Sequence, residues 1–259
     1  MFFKGMITPF ILLIAFSVSM LWLRRISMRG KIFKVRKLPA IDALDELVGR
    51  SAELGRPVHF SPGAKGLYSS DSAQTIAGLS VLTYLAKKCV QQGVDIIVTH
   101  KLPEMIPILS EIVKEAFVAE NKLDQFKPNY NIRFVSGYAF TFELGIMGIF
   151  YREKIGANIM IGPYYAGTLM MAESAADVGA MQIGGTALVA NLPFMMAACD
   201  YTLIGEEMFC AAAYLSNDPE QIGIIAGQDI SRIIVVAIII VGLLLSVLNI
   251  TAFSELLRM

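Results

Sequence analysis

Two long apolar runs stand near the two ends of the chain. Residues 7–23 and 233–253 contain no charged side chain. A helix rises about 1.5 Å per residue, so the second run is long enough, and the first is just long enough, to cross a hydrocarbon core of about 30 Å. We therefore predict one membrane-spanning helix at each end of the chain.

The stretch between these runs changes its hydrophobic period repeatedly. Apolar residues at helical spacing predict a helix over 40–55, which ends at Gly55. The predicted strands are 57–60, 94–99, 132–135, 157–161, 181–183 and 201–204. The predicted helices between them are 72–92, 103–122, 138–154 and 166–178, and further helices are expected after the last two strands. This alternation predicts an α/β domain with a Rossmann-like, mostly parallel sheet flanked by helices.

Two further uncharged stretches leave an alternative open. Residues 155–172 and 178–199 are also about long enough to cross a membrane, which would give a four-pass protein. A Gly-Pro pair at 162–163 breaks the first stretch, and a Gly-Gly pair at 184–185 breaks the second. We interpret both stretches as buried strand-turn-helix units of the domain.

The composition and the distribution of positive charge extend the membrane prediction. The 259 residues are 55% hydrophobic and 17% charged, with a mean hydropathy of +0.59, which is too apolar for an ordinary soluble protein. Seven Lys and Arg residues lie within 24–37, directly after the first apolar run, whereas only Lys4 precedes that run. The positive-inside rule then predicts a two-pass protein of the cell membrane, with both termini outside and the main domain in the cytoplasm.

These boundaries divide the chain into three predicted parts. Residues 1–38 form an N-terminal anchor with a basic segment, 39–229 form the cytoplasmic domain, and 230–259 form the C-terminal anchor. The expected partners are the lipid bilayer and, for a domain of this kind, further copies or subunits in a membrane complex. The formal net charge is zero, so no basic surface points to nucleic acid.

Cysteines and acidic residues give little support to a metal site or a disulfide framework. Cys89, Cys199 and Cys210 are odd in number and lack Cys-x-x-Cys spacing. Asp200 and the Glu206-Glu207 pair are candidate cation ligands only in principle, because no His or Cys stands at ligand spacing. We therefore expect no metal, and the sequence leaves the cofactor unknown.

The best candidate site lies in the loops that follow the predicted strands. Parallel strands joined by right-handed crossovers bring these loops to one edge of the sheet, where open α/β sheets bind ligands. Backbone amides in such turns suit a small anion. The candidate binding residues are Ser61, Gly63, Lys65, His100, Ser136, Gly162, Tyr164, Tyr165, Gly184, Gly185, Thr186, Glu206 and Glu207. The alternative is that the glycines serve only the geometry of tight connections.

The stretch HFSPGAKG, residues 59–66, resembles a phosphate-binding loop but fails as one. Neither Gly-x-Gly-x-x-Gly nor Gly-x-x-x-x-Gly-Lys-Ser/Thr is present, because Lys65 precedes a glycine rather than a hydroxyl residue. A P-loop nucleotidase is therefore not expected. Asp71 and Gln74 have the spacing of a capping box for the helix that follows.

No catalytic residues can be assigned. His100 stands at the end of a predicted strand, where a general base could lie, but a hydrogen-bonded structural histidine is the favoured interpretation. Glu143 and Glu173 interrupt apolar helical stretches. Such carboxylates are paired inside the fold, lie at an assembly surface or line a site, and we favour a structural role.

Several stretches together resemble one family. They are GRPVHFSPG, GLSVLTYLAKK, DIIVTHKLPE, REKIGANIMIGPYYAGTLMMAE and CDYTLIGEE, and the similarity covers roughly residues 39–228. The chain resembles an uncharacterised family of bacterial and archaeal integral membrane proteins known only as a domain of unknown function. The resemblance implies a prokaryotic, membrane-associated protein, and no reaction, cofactor or residue role comes with it.

Three functions remain open at this point. The leading hypothesis is a membrane-anchored, non-catalytic structural or assembly subunit of a larger homo- or hetero-oligomeric complex. Its motivation is the absence of a catalytic constellation and a Met- and Ala-rich helix in which Ala172, Ala176 and Ala180 fall four apart. The second hypothesis is a nucleotide- or anion-binding sensor that uses the strand-end loops. The third, least supported, is a membrane-bound enzyme.

Overall fold

The computed structural model describes residues 7–30, 38–165 and 167–247, with side chains from 10 to 245 within those ranges. The chain forms two compact units. The first combines Met1–Arg36 with Asn217–Met259, and the second is Lys37–Ser216. The first unit therefore holds the two chain ends, and the second holds the predicted domain.

Two long helices pack against each other in the first unit. They are α1, Ile7–Met28, and α10, Pro219–Val247. A Cβ atom on Gly223 would lie 2.7 Å from the Arg24 Cα, and one on Gly227 would lie 2.7 Å from the Met20 Cα, so the helices run antiparallel at very close distance. Small residues at this spacing allow such an approach.

Both helices are long and apolar enough to cross a membrane. The spans that meet this criterion are Phe10–Met28 and Pro219–Leu245, and few of their residues are buried inside the structure. The first falls close to the predicted span. The second begins 14 residues earlier than the predicted 233–253, and Phe253 lies outside the described residues.

The second unit is a six-stranded parallel sheet in the order β3-β2-β1-β4-β5-β6. The strands are β1 Val58–Ser61, β2 Ile96–His100, β3 Ile132–Phe134, β4 Ala157–Ile161, β5 Met181–Thr186 and β6 Tyr201–Ile204. The helices are α2 Pro39–Leu54, α3 Ser72–Gln92, α4 Ile106–Ala119, α5 Pro128–Asn131, α6 Ala139–Glu153, α7 Thr168–Asp177, α8 Leu192–Ala198 and α9 Glu207–Ser216. This order is the Rossmann order, so the predicted fold class is confirmed.

Helices cover both faces of the sheet. One face packs against α2, α3, α4 and α9, and the other packs against α6, α7 and α8. Every residue of β1, β2 and β4 is buried, as expected for central parallel strands. The core on the second face includes Phe142, Phe150, Met160 and Met171.

A chain of buried polar side chains crosses the four central strands on that second face. His59 Nδ1 lies 2.8 Å from Asn158 Oδ1, and its Nε2 lies 2.9 Å from Thr99 Oγ1. The Asn158 amide donates to Gln182 Oε1 at 3.0 Å, and the Gln182 amide donates to the carbonyl of Ala172 at 2.8 Å. We call Thr99, His59, Asn158 and Gln182 the polar ladder. Burial lowers the pKa of His59 to about 4, so the ring is neutral at physiological pH.

The fold settles several sequence predictions. Both uncharged stretches inside the domain are strand-turn-helix units, because β4 with α7 and β5 with α8 belong to the packed sheet. The helix predicted over 103–122 begins as a 3₁₀ turn and ends at Ala119, and the short α5 was not predicted.

The capping box predicted at the start of α3 is wrong. The Asp71 side chain makes no cap hydrogen bond and instead accepts one from the Tyr165 hydroxyl at 3.2 Å. Gln74 turns toward the end of β5, where its Oε1 accepts from the backbone N–H of Ala187 at 2.9 Å. Both side chains thus serve contacts between loops that are distant in sequence, which spacing within one helix cannot reveal.

Candidate functional site

The carboxyl ends of all six strands lie at one edge of the sheet, because every strand pair is parallel. We call this the carboxyl edge. β1 and β4 are neighbours at the centre, and the strand order reverses between them. In this fold, dinucleotides bind in the crevice that opens at that point.

The two central loops close this crevice by direct contact. The Ala64 N–H donates to the Pro163 carbonyl at 2.9 Å. Gly63 has φ +97° and a Cβ there would lie 2.6 Å from the Pro163 ring, while a Cβ on Gly162, with φ +151°, would lie 2.1 Å from the Pro62 carbonyl oxygen. These glycines are therefore required for the loops to approach each other.

The side chain of Tyr164 also holds the loop after β1 against the loop after β4. Its side chain is buried, and its hydroxyl donates to the Ser61 carbonyl at 2.6 Å and accepts from the Gly63 N–H at 3.3 Å. Its own carbonyl accepts from the Asn191 amide. Burial raises the pKa of the Tyr164 hydroxyl, so it remains a neutral donor. The Gly63 amide that a phosphate would use is thus already occupied by a protein group.

A small cleft of about 30 Å³ remains beside the closed crevice. Lys101, Glu143, Tyr165 and Thr168 are among its lining residues. The Glu143 carboxylate lies directly against Gly167, the residue that precedes α7, where a Cβ atom would overlap it. Burial raises the pKa of Glu143, and the positive charge of Lys101 partly offsets this. A helix N-terminus favours an anion, and here the protein supplies its own.

Lys65 lies beside Tyr165, which lines this cleft. The Lys65 Nζ lies 5.3 Å from the centroid of the Tyr165 ring, a cation–π distance. The Tyr165 hydroxyl reaches Asp71 on the loop after β1. Lys65 is therefore held by its own loop and the loop after β4.

His100 is buried under the loop that follows β1. The Leu102 N–H donates to its Nδ1 at 2.9 Å, so the neutral ring carries its proton on Nε2. That proton faces the Lys65 carbonyl without a hydrogen bond of normal geometry. Burial lowers the pKa of His100 to about 4. The ring has no access to solvent, which fits the structural interpretation better than a general base.

The remaining candidate residues do not converge on the cleft. Ser136 Oγ accepts from the Tyr138 N–H within its own turn, and the Glu207 carboxylate accepts from the Ile204 N–H at 3.2 Å. β3 and β6 are the outermost strands, so their loops stand about 24 Å apart at about 4.8 Å per strand spacing. The loops after the strands therefore share one edge of the sheet, as predicted, but they do not line one pocket.

Three candidates lie in a strand rather than in a loop. β5 extends to Thr186, so Gly184, Gly185 and Thr186 pair with β6. A Cβ on Gly184 would lie 2.8 Å from Cys199 Sγ, and one on Gly185 would lie 3.2 Å from the Leu203 Cβ. These glycines are needed for close packing of the sheet, and Thr186 is buried beside Gln74.

The exposed aromatic residues of the carboxyl edge were not predicted from the sequence. Tyr68 is 96% exposed and Tyr138 is 82% exposed, which is unusual for large side chains. We use the name aromatic edge for the exposed residues of these loops and adjoining strand and helix ends, which are Tyr68, Phe134, Tyr138, Phe140, Tyr165 and Val189. The available signal was aromatic residues within the loops that follow predicted strands, in GLYSS and SGYAF, where small polar turn residues were the expected choice.

Two other possible sites, a groove at the opposite edge and a metal site, have weaker support. A groove of about 310 Å³ at the opposite edge of the sheet is lined by Arg56, Asp95, Tyr130 and Glu153, with Arg133 paired to Glu153 at 2.9 Å. No group of three His, Cys, Asp or Glu side chains suited to a metal occurs among the described residues. Asp200 accepts the Gln182 N–H at 2.7 Å.

The chain belongs to a family defined by the domain of unknown function DUF6754, whose model matches residues 1–257. The predicted resemblance is therefore confirmed at the level of the family, and it extends over both apolar helices as well as the domain. Neither a curated protein nor a solved structure matches the chain.

Proposed function

We propose that the protein is a membrane-anchored assembly subunit whose α/β domain binds a partner protein through the aromatic edge. One observation carries the proposal: the edge where this fold binds ligands is closed by its own loops, and its outer surface presents large exposed aromatic side chains instead. Exposed apolar surface of this kind marks sites of protein contact.

The alanine spacing that first suggested assembly no longer supports it. Ala172 is buried in the core, Ala176 is exposed, and Ala180 lies beyond the end of α7. These three residues do not form one helical face. The proposal therefore rests on the aromatic edge and on the two helices that are able to cross a membrane.

The proposed topology places the domain in the cytoplasm. The positive residues that follow the first apolar run support this orientation. The check is protease treatment of sealed inside-out membrane vesicles, in which the domain should be digested. Protection of the domain in these vesicles would reverse the orientation.

The assembly role is tested with full-length protein extracted from its native membrane in mild detergent. Native mass spectrometry should show a complex larger than one chain. The variants Tyr138→Ser and Phe140→Ser should release the partner, because each removes an exposed aromatic anchor. The matched control is Leu54→Ser, an exposed apolar residue at the end of α2, which should leave the complex intact. A stable single chain without any bound protein contradicts the proposal.

A small-anion sensor is the second candidate, favoured by one observation. Lys101 and Thr168 in the first turn of α7 both line the cleft, and the Glu143 carboxylate lies against the residue before that turn. Thermal unfolding with inorganic phosphate and a nucleotide panel tests this, because a ligand at 100 times its dissociation constant stabilises by about 2.7 kcal/mol. Glu143→Gln should strengthen the shift, because it removes the competing charge. No shift in either protein excludes this function.

A further inference from the structure

The register of the two apolar helices fixes the relative depth of their polar residues. Gly223 of α10 lies against the backbone of Arg24, and Gly227 lies against that of Met20. Residues further along α10 therefore match residues nearer the start of α1. With a rise of 1.5 Å per residue, this pairing places Asp229 about 9 Å and Arg232 about 13 Å beyond the level of Arg24.

The first helix decides where the membrane boundary falls. Its uncharged run, residues 7–23, spans about 25 Å, so the whole run is needed to cross a hydrocarbon core of about 30 Å. The boundary therefore lies near Arg24. A boundary at Ile233, the predicted start of the second span, would leave about 13 Å of this run in water. Given the membrane anchoring proposed above, on which this inference rests, Asp229 and Arg232 lie inside the bilayer.

Both charged residues are directed away from α1. The side of α10 that contacts α1 is formed by Gly223, Gly227 and Ser231, and Ser231 Oγ lies 3.1 Å from Ser19 Oγ. Asp229 and Arg232 approach each other at 3.8 Å, yet 53% and 46% of their side chains remain exposed. Charged groups exposed to hydrocarbon are strongly unfavourable and face a protein partner or a polar cavity in membrane proteins.

We propose that Asp229 and Arg232 form a binding surface for a second copy of this chain within the membrane. Asp229 of each copy pairs with Arg232 of the other. An acid and a base one turn apart on the same helix match themselves about a two-fold axis along the membrane normal. The two reciprocal ion pairs then remove all four charges from lipid. Ile233, Val236 and Ile240, all exposed, continue the Asp229 face at the alternating spacing of a parallel helix pair.

The test uses two differently tagged full-length copies in the same membrane. One copy carries Asp229→Arg and the other carries Arg232→Asp, so the first presents two positive charges and the second presents two negative charges. Each variant alone should associate with itself roughly tenfold more weakly than the parent chain. The two variants together should recover association. Unchanged self-association, or no recovery on mixing, overturns the proposal.

Two controls keep the result interpretable. Gln221→Arg adds a positive charge at the start of α10, near the boundary, and should leave association unchanged. Alkaline extraction reports whether each charged variant is still inserted. If a variant fails to insert, cysteine cross-linking in the parent background decides. Val236→Cys should cross-link two copies, whereas Ile234→Cys, three residues after Ser231 on the side of α10 that contacts α1, should not. Equal or absent cross-linking, or cross-linking only to another protein, overturns the proposal.

The two proposals fail separately. If the reciprocal pairing is absent but a partner still binds the aromatic edge, only the proposed contact within the membrane is refuted. If the Asp229 and Arg232 variants behave as expected but no protein binds the aromatic edge, only the proposed role of the domain is refuted.

Discussion

The α/β domain and the two-helix unit differ in the burial of their most prominent polar side chains. In the domain, the polar ladder is buried and each of its members has a protein partner. In the two-helix unit, the Asp229–Arg232 pair lies on the outer surface of α10, about half exposed. The polar ladder is satisfied inside the domain, whereas Asp229 and Arg232 lie on a surface that we propose to contact a second copy of the chain.

This difference indicates which polar and apolar groups have their partners within the chain and which would gain a partner from another molecule. A buried polar chain with every partner present stabilises one arrangement of strands, because a shifted register would leave several groups unpaired. The closed contact between the loops after β1 and β4 has the same character. The aromatic edge and the outer side of α10 instead present groups that gain by contact with another molecule. Stability should therefore depend on the first set of residues, and association should depend on the second.

The largest expected effect is the pH dependence of stability. His59 and His100 have a pKa of about 4 in the folded protein, against about 6.5 when unfolded. The unfolded chain binds more protons between these values, so stability is complete above about pH 6.5 and falls as the pH drops toward 4. Each histidine contributes about 1.4 kcal/mol per pH unit in the steep part of this range.

Chemical unfolding of the full chain in mild detergent, followed by circular dichroism between pH 7.5 and 5, measures this dependence. His100→Asn keeps an acceptor for the Leu102 N–H but does not titrate, so the histidine contribution to the slope should fall by about half. A slope that this variant does not change would show that His100 is already protonated or exposed in the folded state.

The next largest effect concerns the polar ladder. Asn158→Ala removes the partner of both His59 and Gln182 and should lower the free energy of unfolding by about 3 kcal/mol. Gln91→Ala is the matched control. The Gln91 amide donates a hydrogen bond to Glu120 on the surface, and this bond should contribute under about 0.5 kcal/mol to the free energy of unfolding. Equal losses in the two variants would mean that the ladder is not structurally important.

The closed loop contact should have an intermediate effect. Gly162→Ala places a Cβ atom against the Pro62 carbonyl and should lower the free energy of unfolding by about 2 to 3 kcal/mol. Gly179 also has a positive φ, of +74°, but open space surrounds it, so Gly179→Ala should lose only about 1 kcal/mol. Urea unfolding distinguishes the two. A loss at Gly162 no greater than that at Gly179 would mean that the loops are apart in solution.

The smallest expected effect on stability belongs to the aromatic edge. Phe140→Ser removes an exposed side chain and should change the free energy of unfolding by under about 0.5 kcal/mol, while it weakens partner binding. The same unfolding assay, performed on purified protein without the partner, measures the first quantity. A loss above about 2 kcal/mol would place Phe140 in the core of the domain rather than at an interface.

Much of the fold follows from hydrophobic period alone. β4 and β6 match their predicted bounds, and the other strands differ by a few residues. β4 was predictable because a fully buried parallel strand is a largely apolar run. β5 was cut short at residue 183 because Gly184 and Gly185 were interpreted as a turn. Their missing side chains instead make room for Cys199 and Leu203, and such packing is invisible to a pattern read along one chain.

The site was less predictable because it depends on strand order. Gly63 and Gly162 are 99 positions apart, and only the adjacency of β1 and β4 brings their loops into contact. Without that adjacency, the loop with Lys65 was a candidate anion cradle. With it, the loop is one half of a closed contact. The proposed depth of Asp229 and Arg232 also depends on a long-range contact, because the helix register that sets it joins residues about 200 positions apart.

Energy transfer between labelled full-length copies in lipid bilayers, measured as the protein is diluted with lipid, tests the central distinction most directly. We predict that transfer rises with the protein-to-lipid ratio in the parent chain, and that the Arg232→Asp copy alone needs a roughly tenfold higher ratio for the same transfer. The unfolding temperature of the α/β domain should stay the same throughout the dilution. Absence of transfer at every ratio, or a domain whose unfolding temperature falls on dilution, would contradict the account.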